Sequence, residues 1–363
     1  IDHDGLAGYL SLNYVPGDRT MVAAIRRLEP GCWRLFRADG GSEGGRYWQM
    51  PVSGDCSPSM PEALDELQRR LDDSVKIALR SDVPVALFLS GGIDSSLVAE
   101  SATRQGRLQH AYCLDFEENS YSELPMAQRV ADRLGLELRR VVLAADELVD
   151  FRVLAEHLDD PLADSSALPV YTLSRAVARD YKVAISGDGG DELFGGYLTY
   201  TATALHSLLV RRLPLPLRAA LARLAGVLPI DDTKVSTSYK LWRFLRAADL
   251  PSGQAHFSWN GTWLPAQAAK LLRQGDARGL QQLADRHGLP PAPTLGQLQR
   301  ADAADYLPND ILTKVDRMTM AHGLEARAPL LSPAVADYAL SLPDGLKHTP
   351  FGKPKRILRE LCD

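Results

Sequence analysis

Cysteine is scarce, long apolar runs are missing and positive charge is in the minority, and each shortage argues against a class of protein. The 363 residues hold four cysteines, Cys32, Cys56, Cys113 and Cys362, far apart and forming no C-x-x-C pair. That spacing argues against zinc or a disulfide framework and reads as isolated cytosolic thiols. No run of about 18 apolar residues occurs, so neither a transmembrane helix nor a membrane partner is expected. Residues 205–228 are rich in Leu and Ala, but Arg211, Arg212, Pro214, Pro216, Arg218 and Arg223 interrupt them, and they read as helical rather than spanning. A net charge of -5 and a pI near 5.9 argue against a nucleic-acid surface, which wants a basic patch. The chain begins with Ile1 rather than Met and shows no signal peptide. A fragment of a longer cytoplasmic protein is therefore the expectation, with two domains or one large one.

What is present centres on residues 83–99, VPVALFLSGGIDSSLVA. The run 85–89 reads as a strand buried on both faces. It breaks at Ser90-Gly91-Gly92, and Asp94-Ser95-Ser96 then cap a helix. A glycine turn between a strand and a helix N-terminus offers free N–H groups and partial positive charge to an anion. Asp94 would repel a bare phosphate, which suggests a bridging divalent cation. Neither G-x-x-x-x-G-K-[ST] nor G-x-G-x-x-G is present. The pattern S-G-G-x-D-S resembles the pyrophosphate loop of ATP pyrophosphatases, whose members cleave ATP between its α and β phosphates.

Around this stretch the chain changes style. Residues 1–56 read as short and β-like, at 6–14, 31–36 and 46–48, with turns at Pro16-Gly17, Pro30-Gly31 and Asp39-Gly40-Gly41. They are too few to bury a core alone. Residues 54–61 read as a linker. Leu64, Leu67, Leu71, Val75 and Leu79 then mark an amphipathic helix. Strands follow at 110–116, 136–143 and 182–186. Helices are expected at 124–135, from 143 through 157, and at 168–180. Alternation of this kind predicts an α/β fold, a parallel sheet with helices on both faces. Ligands of such sheets sit beyond the C-terminal strand ends. That rim collects Ser90-Gly91-Gly92, Leu114-Asp115 and Ser186-Gly187. Residues 200–341 read as helices with Pro-rich breaks. A second dense stretch, Ser186-Gly187-Asp188-Gly189-Gly190-Asp191-Glu192, sets three carboxylates among glycines just past a strand. Such a stretch suits a magnesium–phosphate site.

Both stretches, with residues 160–166 (DPLADSS), 307–318 (LPNDILTKVDRM) and 320–331 (MAHGLEARAPLL), resemble the glutamine-hydrolysing asparagine synthetase family in the family's own order. Tyr121-Ser122-Glu123 fits more loosely. The resemblance implies an ATP pyrophosphatase-like domain at 57–363. It makes 1–56 the remnant of an N-terminal glutaminase domain with its linker. That domain's nucleophilic cysteine is not at position 1, and Cys32 sits in a strand-like run, so the chain as given is not expected to hydrolyse glutamine. By resemblance, Leu89 and Leu114 pack the adenine, and Ser186 and Gly187 hold the nucleotide. Ser90, Gly91, Gly92, Ser95 and Ser96 cradle pyrophosphate. Asp94 and Asp191 ligate magnesium, and Asp188, where many members carry Glu, lies near the acyl-adenylate. Asp164, Ser165 and Ser166 face the acid. Lys314 and Arg317 are read as steadying phosphates or a carboxylate, or, for Asp316–Arg317, as a structural ion pair. Glu325–Arg327 is read as structural and His322 as a packed helix residue. The family's basic residue near the reacting centre lies beyond residue 363, and Lys353, Lys355 and Arg356 are read as a solvated basic stretch.

The implied activity is ATP-dependent amide formation on a small-molecule carboxylate. ATP and Mg2+ are the cofactors, and ammonia comes from glutamine through the N-terminal domain. Asparagine synthesis leads; another acid acceptor (sugar, peptide or ring-closing) and a non-catalytic nucleotide-binding scaffold are the alternatives. Sulfur transfer to RNA lacks the basic face and reactive cysteines it needs. A homodimer is left open.

Overall fold

The computed structural model describes all residues except 53, 55, 107, 109, 117, 119–121, 144–150, 227–235, 273–277, 350, 351 and 363. Tyr121, the first part of the helix expected after Leu143, part of the expected 54–61 linker and the end of the 205–228 stretch therefore lie outside the described residues.

The chain opens with a helix, α1 (His3–Leu12), where a strand is expected from residues 6–14. Asp2 caps it, its carboxylate accepting from the Gly5 N–H at 2.9 Å. Its buried residues are mostly small, Gly5, Ala7, Gly8 and Ser11, with Leu12 beside them. Small side chains let another helix approach closely, and the alternation of larger residues in the sequence hides this face. The N-terminal part's strands among the described residues form a hairpin of β1 (Cys32–Phe36) and β2 (Ser42–Arg46), paired antiparallel with Cys32 opposite Arg46, beside an isolated antiparallel bridge between Arg19 and Arg26. Helix α2 (Met60–Ala78) follows and buries Ala63, Leu67, Leu71 and Val75.

The sheet comes next. Strand β3 (Val85–Phe88) leads into α3 (Ile93–Arg104), β4 (His110–Phe116) into α4 (Leu124–Leu134), and β5 (Glu137–Leu143) into α5 (Phe151–His157) and α6 (Ala167–Val177); β6 (Val183–Ile185) closes the expected set. Gly135 ends α4 in the left-handed conformation its sequence position predicts. All pairings in this sheet are parallel, in the order β5-β4-β3-β6-β7. The chain runs outward from β3 to β5 and then returns to β6 on the other side of β3. A crevice for ligands opens beyond the strand ends at such a reversal.

Short helix α7 (Gly190–Phe194) and α8 (Leu198–Leu205) lead into a π-helical turn at His206–Val210. The helical part then runs through α9 (Leu215–Ala225), α10 (Thr237–Arg246), α11 (Ser252–Asn260), α12 (Pro265–Leu271), α13 (Gly279–Arg286) and α14 (Leu295–Ala301). A π-helical segment, Asp302–Leu312, contains Pro308 and continues as α15 (Thr313–Met320). The expectation that strands stop after Tyr197 fails at β7 (Glu325–Arg327), which pairs parallel with β6. Helices α16 (Pro333–Ser341), α17 (Asp344–Lys347) and α18 (Arg356–Cys362) return to the sheet, and Val335, Leu340, Ile357 and Leu358 join Leu87, Leu97 and Ile185 in the main core. A smaller core joins Leu12 and Tyr14 to Phe257, Leu280 and Leu283, so the N-terminal residues pack onto the helical part. Among the described residues, no helix is long and apolar enough to cross a membrane.

Candidate active site

The two glycine-rich loops leave adjacent parallel strands, β3 and β6, and meet. Gly91 has φ +75°, a left-handed backbone that favours glycine, and a Cβ there would lie 2.6 Å from the Met126 carbonyl carbon. The cap of α3 is Gly92 rather than Asp94-Ser95-Ser96, which lie in its first turn. The serines brace the turn: Ser96 Oγ donates to the Gly92 carbonyl at 2.7 Å, and the Gly92 N–H donates to Ser90 Oγ at 3.2 Å. Gly187 of the second loop presses against the first, since a Cβ on it would meet the Ser95 nitrogen at 2.6 Å.

Between them lies a cavity of about 260 Å³. Leu89, Ser90, Asp94, Ser95, Leu114, Ser186, Gly187 and Asp188, all expected site residues, line it. Gly91, Gly92 and Ser96 belong to the turn beside it. Tyr112, Val170 and Leu173 complete an apolar wall. Cys113 also borders the cavity, but burial pushes its thiol up to about 12, so it stays protonated. Ser186 Oγ donates to Asp188 Oδ2 at 2.6 Å. That bond fixes the shorter carboxylate at the cavity wall.

Asp191 reaches the site through a residue read from the sequence as solvated. Lys355 is buried. Its Nζ lies 2.7 Å from Asp191 Oδ1 and in contact with Asp94 Oδ2. Burial works against its charge, but the two carboxylates outweigh that and lift its pKa above the ordinary lysine value. Burial, with Asp191 and Asp188 nearby and against Lys355, raises Asp94 to about 6. Lys355 adopts a left-handed backbone at φ +56°, which aims a residue far along the chain into this cluster. Glu192, the third carboxylate of the stretch, is buried elsewhere and accepts from the Tyr197 hydroxyl at 2.5 Å. It does not join Asp94.

The donors fit a magnesium ion. Asp94 Oδ1 is buried with no hydrogen-bond partner among the described residues, and Asp191 converges on the same lysine. No three His, Cys, Asp or Glu side chains cluster as a ready-made metal site among the described residues. Magnesium is commonly held by one or two carboxylates and substrate phosphates.

A second polar cluster joins the 160–166 stretch to the 307–318 motif. Asp164 accepts from the Ser166 N–H and Oγ, both at 2.8 Å, and contacts Lys314, whose Nζ also donates to Ser166 Oγ at 2.7 Å. Burial would raise Asp164, but Lys314 holds it below the usual carboxylate range. Lys314 thus steadies the Asp164–Ser166 turn. Asp310 stands nearby, buried, with Oδ1 unpartnered among the described residues, and is raised to about 8 by burial and by Asp164. It falls inside the 307–318 motif, but nothing in the sequence distinguishes it from Asp316. Asp164 and Ser165 also line a separate cavity of about 650 Å³ walled by Tyr9, Leu158 and Leu162.

Arg27 braces this region from the N-terminal part. It donates to Asp160 at 2.6 Å, to Asn309 at 3.0 Å and to the Val15 carbonyl at 2.9 Å. Arg317 pairs at the surface with Asp159 and Asp316. Arg327 bonds Glu325 at 2.7 Å and the carbonyls of Ala78 and Arg80, tying β7 to the end of α2 as a structural role requires. His322 packs on Tyr171 with ring centroids 4.3 Å apart.

The family model described as asparagine synthase matches residues 66–363. The chain is 30% identical to asparagine synthetase [glutamine-hydrolyzing] 1 of Bacillus subtilis (strain 168) over 370 residues, which covers all of this chain and 56% of the relative. It is also 30% identical over 387 residues to amidase chyE of Penicillium rubens, covering 94% of this chain and 56% of that protein. The chain therefore spans about half the length of these relatives.

Proposed function

Since the chain belongs to the asparagine synthase family, we propose that it is the ATP-cleaving, amide-forming part of an ATP-dependent amidotransferase. The carrying observation is the meeting of the β3 and β6 loops at one cavity, with Asp94 and Asp191 joined on Lys355. Leu89 and Leu114 pack the adenine, and Ser186 and Gly187 present polar and backbone groups to the nucleotide. The turn Ser90-Gly91-Gly92, with Ser95, Ser96 and the N-terminus of α3, cradles the pyrophosphate. Lys355 brings positive charge to the leaving group. A magnesium ion held by Asp94 and Asp191 offsets negative charge on the phosphate oxygens when bound.

The acid's carboxylate attacks the α phosphorus, forming an acyl-adenylate and releasing pyrophosphate. Ammonia then displaces AMP and leaves an amide. Asp188 borders the reacting acyl group, and Asp164, Ser165 and Ser166 face the acid. The protein acts mainly through positioning and charge. In the full-length cytoplasmic protein an N-terminal domain supplies the ammonia from glutamine.

Aspartate is the first candidate acid. A second reading, amidation of another acid, is favoured by relatives of equal identity that carry the different names asparagine synthetase and amidase. Pyrophosphate release from magnesium-ATP and ammonium, measured across a panel of acids, separates them. Release dependent on aspartate selects asparagine synthesis, and release with a different acid changes the substrate but keeps the mechanism. Nucleotide binding without release for any acid sinks the enzymatic reading in favour of a scaffold.

A further inference from the structure

The net charge of -5 is unevenly distributed. Residues 193–248 contain eight Lys or Arg against two Asp, a local net charge of +6, so the remaining chain carries -11. The two acidic residues, Asp231 and Asp232, are consecutive and lie outside the described residues. The π-helical turn, α9 and α10 hold no carboxylate side chain.

Helix α9 departs from ordinary surface helices, which turn apolar residues inward. Of the nearby cations Arg212, Arg223 and Lys240 are exposed, while Arg243 and Arg246 turn inward onto the carbonyls of Trp259, Gly261 and Thr262. In α9 the exposed positions are Leu215, Pro216, Leu217, Ala220, Arg223 and Leu224. These include three leucines at 59%, 48% and 48% exposure. The less exposed side carries Arg218, Leu221 and Ala222, with Ala225 buried. Leu209 before α9 and Leu241 on α10 are also exposed, beside Arg212 and Lys240. Helices α9 and α10 pack together, so leucines and cations share one helical hairpin.

We propose that this hairpin is a docking surface for an anionic phospholipid membrane. Exposed leucines among cations are the composition of helices that lie in a lipid interface, where apolar side chains enter the acyl boundary and cations meet headgroup phosphates. A second copy is disfavoured because a two-fold interface places the same basic patch on both sides. Single-stranded RNA is disfavoured because its recognition uses exposed aromatic platforms, whereas Tyr239 and Trp242 are only partly exposed and Arg246 stacks over Trp242. The missing apolar run excludes a spanning helix; it says nothing against a hairpin lying on a lipid surface.

Co-sedimentation of the full-length protein with vesicles tests this. Vesicles of phosphatidylcholine mixed with phosphatidylglycerol should capture the protein at least about tenfold better than phosphatidylcholine alone, less so as salt rises. The triple variant Arg212→Glu, Arg223→Glu, Lys240→Glu should lose that preference. Leu217→Ser with Leu224→Ser should weaken binding severalfold at unchanged charge. A control with the same charge change elsewhere, Lys76→Glu, Arg133→Glu, Arg179→Glu, should bind as the wild type, and all variants should keep its melting temperature. Equal capture by both vesicle types overturns the proposal. So does a control that loses binding as fully as the hairpin variants, or self-association that the leucine variants abolish while lipid capture is unaffected.

Discussion

At the sheet rim Lys355 stands between Asp94 and Asp191, while on the helical side Lys314 grips Asp164 with Asp310 beside it. The two lysines act differently on their carboxylates. Lys314 is locked with Ser166 onto one partner, which falls below the usual carboxylate range while Asp310 is pushed up to about 8. Lys355 is shared by two carboxylates from separate loops, and Asp94 remains raised to about 6 with one oxygen unpartnered among the described residues. A shared lysine beside an unpartnered oxygen suits charges that change during a reaction, such as a departing pyrophosphate with its cation. A locked lysine suits a turn that must stay in place.

The sharpest break of this comparison is Asp94→Ala. Pyrophosphate release should fall by about 10³-fold or more with the fold retained. Wild-type turnover in a phosphate-coupled assay would remove Asp94 from the mechanism. Next, Lys355→Met should lower release by about 10²-fold. It leaves Asp94 and Asp191 facing each other, so added magnesium should raise its melting temperature more than that of the wild type. Lys314→Met should act on stability instead, costing about 2–4 kcal/mol in denaturant unfolding because it leaves the partly buried Asp164 without its cation. The ATP KM of the folded fraction should hold.

Asp310 gives a prediction in pH. Its folded-state pKa of about 8 lies above the ordinary aspartate value of 3.8. Between these values the folded state holds a proton that the unfolded state has released. Stability from this group therefore falls as pH rises from about 4 to about 8. Asp310→Asn should flatten that slope by up to one proton, about 1.4 kcal/mol per pH unit, in unfolding measured across the range. The smallest effect belongs to Arg27→Ala, which removes a half-buried brace and should cost about 1 kcal/mol in the same assay.

Much of the rim was legible because local chemistry dictates it. A buried apolar run, glycines and cap-type residues specify a strand, a turn and a helix start within one short stretch, and the alternation that follows specifies a parallel sheet. Where distant segments meet, the sequence is silent. Lys355 contacts Asp94 across 261 positions of chain and looks like any surface lysine. Strand β7 is three residues with a charge at each end, paired only because β6 offers an edge. Helix α1 was obscured by apparent alternation, and its buried small residues make sense only once a partner helix lies against them. Asp310 is buried where Asp316 is exposed, and its place in a π-helical segment containing Pro308 has no simple periodicity to betray it.

The most direct measurement is 31P NMR of the products formed by the full-length protein from magnesium-ATP, ammonium and its acid substrate. The account predicts AMP and pyrophosphate in equal amounts, and neither from Asp94→Ala. ADP and orthophosphate would contradict it, because cleavage would then fall at the γ phosphate, away from the bond that the β3 and β6 loops are proposed to break.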